Sequence, residues 1–246
     1  MTDASIDETA STEVDESVRR RLALSLDVDD MVAAVRLARE LRPWFGVAKV
    51  GLELYSAEGP DVIAPLRELG YDVFVDVKLH DIPTTVGRAA RVLGALGASY
   101  VTMHAFGGRD MLRAGDQGLR AGAAAAGFDE PTALAVTILT SDGGAPPHIL
   151  GSRLTAAMEA GCGGIVCSAA DLEEARTFAP TMLRVVPGIR RAGDDAHDQA
   201  RPATPGAAAA AGADLLVIGR TVTQADDRAA AAAAVAAEVA AAPARR

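Results

Sequence analysis

Residues 73–85 read Val-Phe-Val-Asp-Val-Lys-Leu-His-Asp-Ile-Pro-Thr-Thr, an apolar β-branched run that closes in a turn signal. Successive side chains of a strand point to opposite faces. Asp76 and Lys78 therefore share a face with Phe74, while Val73, Val75 and Val77 share the other. Pro83 ends the strand and puts Asp81 on the loop just beyond it. A helical stretch over 85–96 follows, so the segment is one strand–loop–helix unit with its charges at the C-terminal end of the strand. Charges on a buried strand lose hydration and must be paired. Lys78 lies between two carboxylates in sequence and is expected to be held by both as an ammonium. At ~4 Å and an effective dielectric of ~20, each such contact is worth roughly 4 kcal/mol before desolvation is subtracted.

The same unit recurs in both directions. Strands are expected at 22–27 (LALSLD), 47–52 (VAKVGL), 73–78, 100–104, 132–139, 164–167, 183–186 and 214–218. Helices are expected at 29–42, 60–69, 85–96, 109–126, 150–159, 171–178, 205–212 and 226–242. The last of these is alanine-rich; Ala is the best helix former, and Val235 and Val239 stand four apart on one face. The strands are continuous apolar runs, as a parallel sheet covered on both sides requires. Eight strand–helix alternations predict an α/β fold, a single-domain (β/α)8 TIM barrel over residues 19–246.

Composition limits the partners. The chain has 246 residues, half of them hydrophobic, which suffices for one large core. A net charge of −9 argues against a nucleic-acid or anionic-membrane surface, so an anionic substrate needs a local basic pocket. No apolar run reaches the ~18–20 residues of a membrane span. The acidic leader lacks the basic start and apolar centre of a signal peptide, and residues 1–18 read as a disordered tail. Cys162 and Cys167 share one apolar stretch and read as reduced core thiols, in keeping with the cytoplasm.

In a barrel of this kind the chemistry lies at the C-terminal ends of the strands. Those ends carry Asp27, Lys49, then Asp76, Lys78 and Asp81, then His104, Thr140-Ser141, Pro187-Gly188-Ile189-Arg190, and Gly219-Arg220. Alone, Asp27 could cap a helix and Lys49 could snorkel to water. Strands otherwise built of Val, Leu, Ile and Ala nevertheless place their few charges on one rim. The loops after the seventh and eighth strands, VVPGIRR and VIGRTVTQ, occupy the usual barrel phosphate position, and Arg220 offers a forked donor suited to phosphate oxygens. His104 reads as a packed neighbour rather than the acid.

The pattern DVKLHDIPTT resembles the catalytic signature of the orotidine 5′-phosphate decarboxylase family, which makes UMP in pyrimidine synthesis. The stretches LSLDV, AKVGLELY, MHAFGG, TILTS, GIVCSA, VPGIR, DQAR, TP and VIGRTVTQA also look like that family, in the right order and nearest its bacterial branch. The resemblance implies decarboxylation of orotidine 5′-phosphate to UMP and CO₂ with no cofactor and no metal. It implies that Asp27 and Lys49 hold the ribose hydroxyls and the charge network, and that Asp76, Lys78 and Asp81 form the catalytic array with Lys78 the proton donor. It places Thr85 on the substrate, Thr140 and Ser141 at the pyrimidine, and Pro187, Arg190, Gln199, Gly219 and Arg220 on the phosphate side. It also implies a homodimer in which Asp81, Ile82 and Thr85 reach into the neighbour's site. The loop DGGAPPH after TILTS departs from the family by its Gly and Pro content. Two rival readings remain: a Mg²⁺-dependent keto-gulonate-phosphate decarboxylase or hexulose-phosphate synthase on the same barrel, and a non-catalytic phosphate-binding barrel. The first uses a Glu on the second strand, where this chain has Lys49.

Overall fold

A computed structural model describes residues 14–139, 146, 148–191 and 203–243. Eight parallel strands close into a barrel in sequence order, and the eighth pairs with the first. They are β1 (Leu22–Leu26), β2 (Val47–Val50), β3 (Asp72–Leu79), β4 (Tyr100–His104), β5 (Thr132–Val136), β6 (Gly164–Val166), β7 (Leu183–Val186) and β8 (Leu215–Ile218). The helices are α1 (Glu16–Arg19), α2 (Met31–Leu41), α3 (Leu52–Glu58), α4 (Ile63–Glu68), α5 (Pro83–Ala95), α6 (Gly108–Ala126), α7 (His148–Ala160), α8 (Leu172–Phe178), α9 (Pro205–Ala211), α10 (Arg220–Thr223) and α11 (Arg228–Ala241). The (β/α)8 expectation holds. Three helices were not anticipated, one of them the short α10 directly after β8. Residues 52–58 form α3, and the end of the expected tail forms α1, which Asp15 caps by accepting from the Ser17 N–H and which buries Val18. Residues 1–13 lie outside the described part.

Period-two alternation sorts the strand residues into layers. Ala23, Val47, Phe74, Leu134, Val185 and Leu215 pack together inside the barrel. Their neighbours Leu22, Leu24, Ala48, Val50, Val73 and Val75 belong to the larger core beneath the helices. Moving two residues along each of the first four strands from the inner layer leads from Ala23 to Ser25, Val47 to Lys49, Phe74 to Asp76, and Tyr100 to Thr102. One further step reaches Asp27, Gly51, Lys78 and His104. The polar groups thus form two storeys above an apolar floor, at the C-terminal mouth.

The β3 unit is anchored from outside. Pro83 occupies the first turn of α5, where its missing N–H is no loss and its fixed φ suits a helix. Helix α5 lies against α6 so closely that a Cβ added to Gly122 would collide with the carbonyl oxygen of Arg91. Only hydrogen fits there, and the loop carrying Asp81 therefore springs from a rigid pair.

Candidate active site

Four charged side chains form a chain across β1, β2 and β3. Lys49 Nζ stands 3.4 Å from Asp27 Oδ1 and 3.7 Å from Asp76 Oδ2. Lys78 Nζ donates to Asp76 Oδ1 at 2.8 Å. A hydroxyl donates to each carboxylate: Ser25 to Asp27 Oδ2 at 2.9 Å, and Thr102 to Asp76 Oδ1 at 2.9 Å. The interior members are well shielded, with side-chain exposures of 11% for Lys49 and 13% for Asp76, whereas Lys78 at 32% and Asp27 at 54% open to the mouth. Alternating signs offset the desolvation that each charge suffers on the strand.

Local backbone geometry places Lys78. Between Val75 and Leu79 the β3–β4 register shifts, with β3 advancing four residues from Val75 to Leu79 while β4 advances two from Val101 to Met103. Inside that irregularity Lys78 takes φ 49°, the sole positive φ outside glycine among the described residues. A left-handed lysine costs about 1–2 kcal/mol, and such strain persists where the surroundings enforce it. The Lys78 N–H, out of the ladder, donates to Thr102 Oγ1 at 2.9 Å.

Asp81 departs from the expected clamp. Its carboxylate accepts the Ile82 N–H at 2.6 Å, and among the described residues no ion pair joins it to Lys78. Among the described residues, Lys78 is held by a carboxylate from the Asp76 side alone. The physical reason is that the chain leaves β3 at Leu79 and turns outward into α5, so Asp81, Ile82 and Thr85 all stand exposed, Ile82 at 66%. The structure therefore brings Asp27, Lys49, Asp76 and Lys78 together and leaves Asp81, Ile82 and Thr85 at the outer lip.

Around the opposite side of the mouth, Pro187 and Gly188 follow β7, and Gly188 turns the chain with φ 76°. The Ile189 carbonyl accepts from Arg190 Nη1 at 2.8 Å and from Thr221 Oγ1 at 3.4 Å, which ties the β7 loop to α10. Arg190 is buried and its N–H donates to the Ala203 carbonyl at 2.9 Å. Gly219 precedes the half-buried Arg220, and a Cβ there would lie 3.8 Å from Asp27 Oδ2. The Gly-Arg turn and the charge chain accordingly share one rim. Thr140, Ser141 and Gln199 lie outside the described residues, as does most of the DGGAPPH loop.

His104 stacks on His80 with ring centroids 5.4 Å apart, and its Nδ1 accepts the Phe106 N–H at 3.2 Å. Burial first, then the charges of Arg153, His80 and Lys78, pushes it below the usual imidazole value of 6.5, which favours the neutral ring. That fits a packed neighbour. Sequence reasoning missed Ser25, Gly51 and Thr102. Gly51 admits the Asp27–Lys49 pair, since a Cβ there would meet Asp27 Oδ1 and Lys49 Nζ at 3.1 Å each. The two-residue step from the inner apolar layer was the signal for all three.

The chain matches, over residues 20–235, the family described as orotidine 5′-phosphate decarboxylase / HUMPS. It is 46% identical over 220 residues to the orotidine 5′-phosphate decarboxylase of Anaeromyxobacter dehalogenans, covering 85% of this chain and 93% of that one. It is 44% identical over 236 residues to the orotidine 5′-phosphate decarboxylase of Halorhodospira halophila, covering 90% and 97%. The crystal structure of the Lactobacillus acidophilus orotidine 5′-phosphate decarboxylase superposes with a TM-score of 0.75 at 34% identity, covering 89% of this chain and 99% of that one. Sequence relatives, fold neighbours and the charged mouth agree: the chain belongs to the orotidine 5′-phosphate decarboxylase / HUMPS family.

Proposed function

We propose that this chain decarboxylates orotidine 5′-phosphate to UMP and CO₂ by electrostatics alone, with Lys78 as the proton donor. The observation that carries the reading is the alternating array Asp27–Lys49–Asp76–Lys78, whose last ammonium reaches the open mouth. Loss of CO₂ breaks the bond between C6 and the carboxyl carbon and leaves the electron pair on C6, in the ring plane and outside the π-system. The Lys78 ammonium stabilises that charge and then transfers a proton to C6, and the resulting neutral amine regains a proton from water. Asp76 orients the ammonium throughout. Asp27 and Lys49 meet the ribose hydroxyls. Arg190, Gln199, Gly219 and Arg220, with Pro187, take the phosphate, and Thr140 and Ser141 the pyrimidine. Phosphate contacts remote from C6 supply binding energy that is realised in the transition state.

The same reading assigns a cytoplasmic homodimer whose second copy lends Asp81, Ile82 and Thr85 to the site. Its support is that Asp81 meets no cation of its own chain among the described residues while Ile82 stands exposed beside it. The Mg²⁺-dependent alternative is not favoured. The Lys49 ammonium already fills the gap between Asp27 and Asp76, where it repels a divalent cation.

The test is the loss of substrate absorbance from orotidine 5′-phosphate, with and without EDTA. Turnover is expected in both, and Lys78→Ala is expected to abolish nearly all of it while leaving the fold. A folded Lys78→Ala variant with a tenth of wild-type activity excludes the proton-donor role, and a chelator-sensitive enzyme excludes the metal-free one.

A further inference from the structure

We propose that Thr102 is a positioning residue of this enzyme: its one hydroxyl locks the backbone of Lys78 and the carboxylate of Asp76 into a single unit. The inference rests on the decarboxylase reading above and adds a residue to it.

Thr102 is fully buried on β4, in the same storey as Lys49 and Asp76. Its oxygen accepts the Lys78 N–H at 2.9 Å, and the hydroxyl then has its single proton to give to Asp76 Oδ1, also at 2.9 Å. That carboxylate oxygen receives Lys78 Nζ at 2.8 Å. A closed circuit runs from the Lys78 backbone through Thr102 and Asp76 to the ammonium of the same lysine. Both ends of one residue are thereby referenced to one point on the neighbouring strand.

The need for this arises from the register shift. Because β3 gains residues relative to β4 between Val75 and Leu79, the regular ladder does not supply an acceptor for the Lys78 N–H. At the same residue the backbone sits at φ 49°, a conformation that L side chains avoid unless held. A side-chain oxygen at position 102 answers both demands. A valine has the same shape and answers neither. Asp76 would also lose its neutral donor and be free to rotate toward Lys49, drawing the Lys78 ammonium away from the mouth. A group displaced by about 1 Å from its reacting partner loses on the order of 100-fold in rate. Binding of the remote phosphate does not pass through Thr102, so affinity and turnover separate.

The experiment compares Thr102→Val and Thr102→Ser with the wild type in steady-state turnover of orotidine 5′-phosphate, with the UMP dissociation constant and the thermal midpoint measured alongside. Thr102→Val is expected to lose about 100-fold in kcat while KM and the UMP constant stay within about threefold, and Thr102→Ser is expected to recover most of the loss. An active wild type whose Thr102→Val variant keeps kcat within about threefold overturns the positioning role alone. Valine and serine variants that fall together also overturn it, because keeping the hydroxyl then does not keep turnover. Should Thr102→Val fail to fold, Thr102→Ala replaces it against the same serine control, with the same loss expected and the same parity decisive. A wild type inactive on orotidine 5′-phosphate overturns the functional reading itself, and with it this inference.

Discussion

Replacing Asp76 by Asn keeps the shape of the central carboxylate and removes the charge that two ammonium groups share. Lys78 Nζ lies 2.8 Å from it and Lys49 Nζ 3.7 Å. At an effective dielectric of ~20 the two attractions amount to about 6 and about 4.5 kcal/mol before desolvation. The net effect is much smaller, because Asp76 recovers hydration energy it no longer forgoes, and because an Asn oxygen still accepts from Thr102 and Lys78 as a neutral group with roughly half the strength. Breaking one partner out of a buried pair costs about 3–5 kcal/mol; with the neutral hydrogen bonds retained, about 2–3 kcal/mol is the expected loss. In stability this lowers the thermal midpoint by roughly 5–10 °C for a domain of this size. In the proposed mechanism the same loss acts on the transition state, where the Lys78 ammonium must stay aimed at the developing carbanion, and about 3 kcal/mol there is roughly a hundredfold in kcat/KM. The assay is decay of substrate absorbance at saturating and limiting orotidine 5′-phosphate, beside a thermal melt. A folded Asp76→Asn enzyme within about threefold of wild-type kcat/KM would falsify the electrostatic account of the array.

Other expectations test the scaffold and its titrating groups. Gly122→Ala forces α5 away from α6, an overpacking worth about 1–3 kcal/mol, and should lower the melting midpoint by several degrees; an unchanged midpoint refutes the close approach. Burial pushes the thiols of Cys162 and Cys167 up to about 12. At about pH 8 only roughly one thiol in ten thousand is thiolate, so the native protein should resist a thiol-reactive dye until denatured, and rapid native labelling contradicts the burial. His104 is depressed below 6.5 by burial and by Arg153, His80 and Lys78. The unfolded chain therefore binds this proton at a pH where the folded chain does not, so its contribution is complete above about pH 6.5 and is lost as the pH falls. Melts at about pH 5.5 and about pH 7.5 should differ less for His104→Gln than for the wild type, and an equal difference rules His104 out as the source.

The barrel was legible because its cause is local. Apolar β-branched runs, spaced by amphipathic stretches, dictate covered parallel strands, and β4 and β7 fall on the expected residues. The charged rim was legible for the same reason: alternation within a strand puts Asp76 on the Phe74 face whatever the neighbours do. Helix α3 was missed because Gly59-Pro60 looks like the end of a loop, whereas the structure uses it to join two short helices. What only tertiary structure decided is everything that depends on register between strands or on where a loop goes once it leaves one. Nothing in a valine-rich run announces that Lys78 adopts φ 49°, since that backbone is imposed by the offset between β3 and β4. Thr102 is an ordinary strand residue until pairing sets its hydroxyl between Lys78 and Asp76, 24 and 26 positions away. The spacing of Asp76, Lys78 and Asp81 suggested two carboxylates on one lysine, but the path into α5 carries Asp81 outward. Side-chain order along a strand is fixed by bond geometry, while contacts between strands follow from how the whole ring closes.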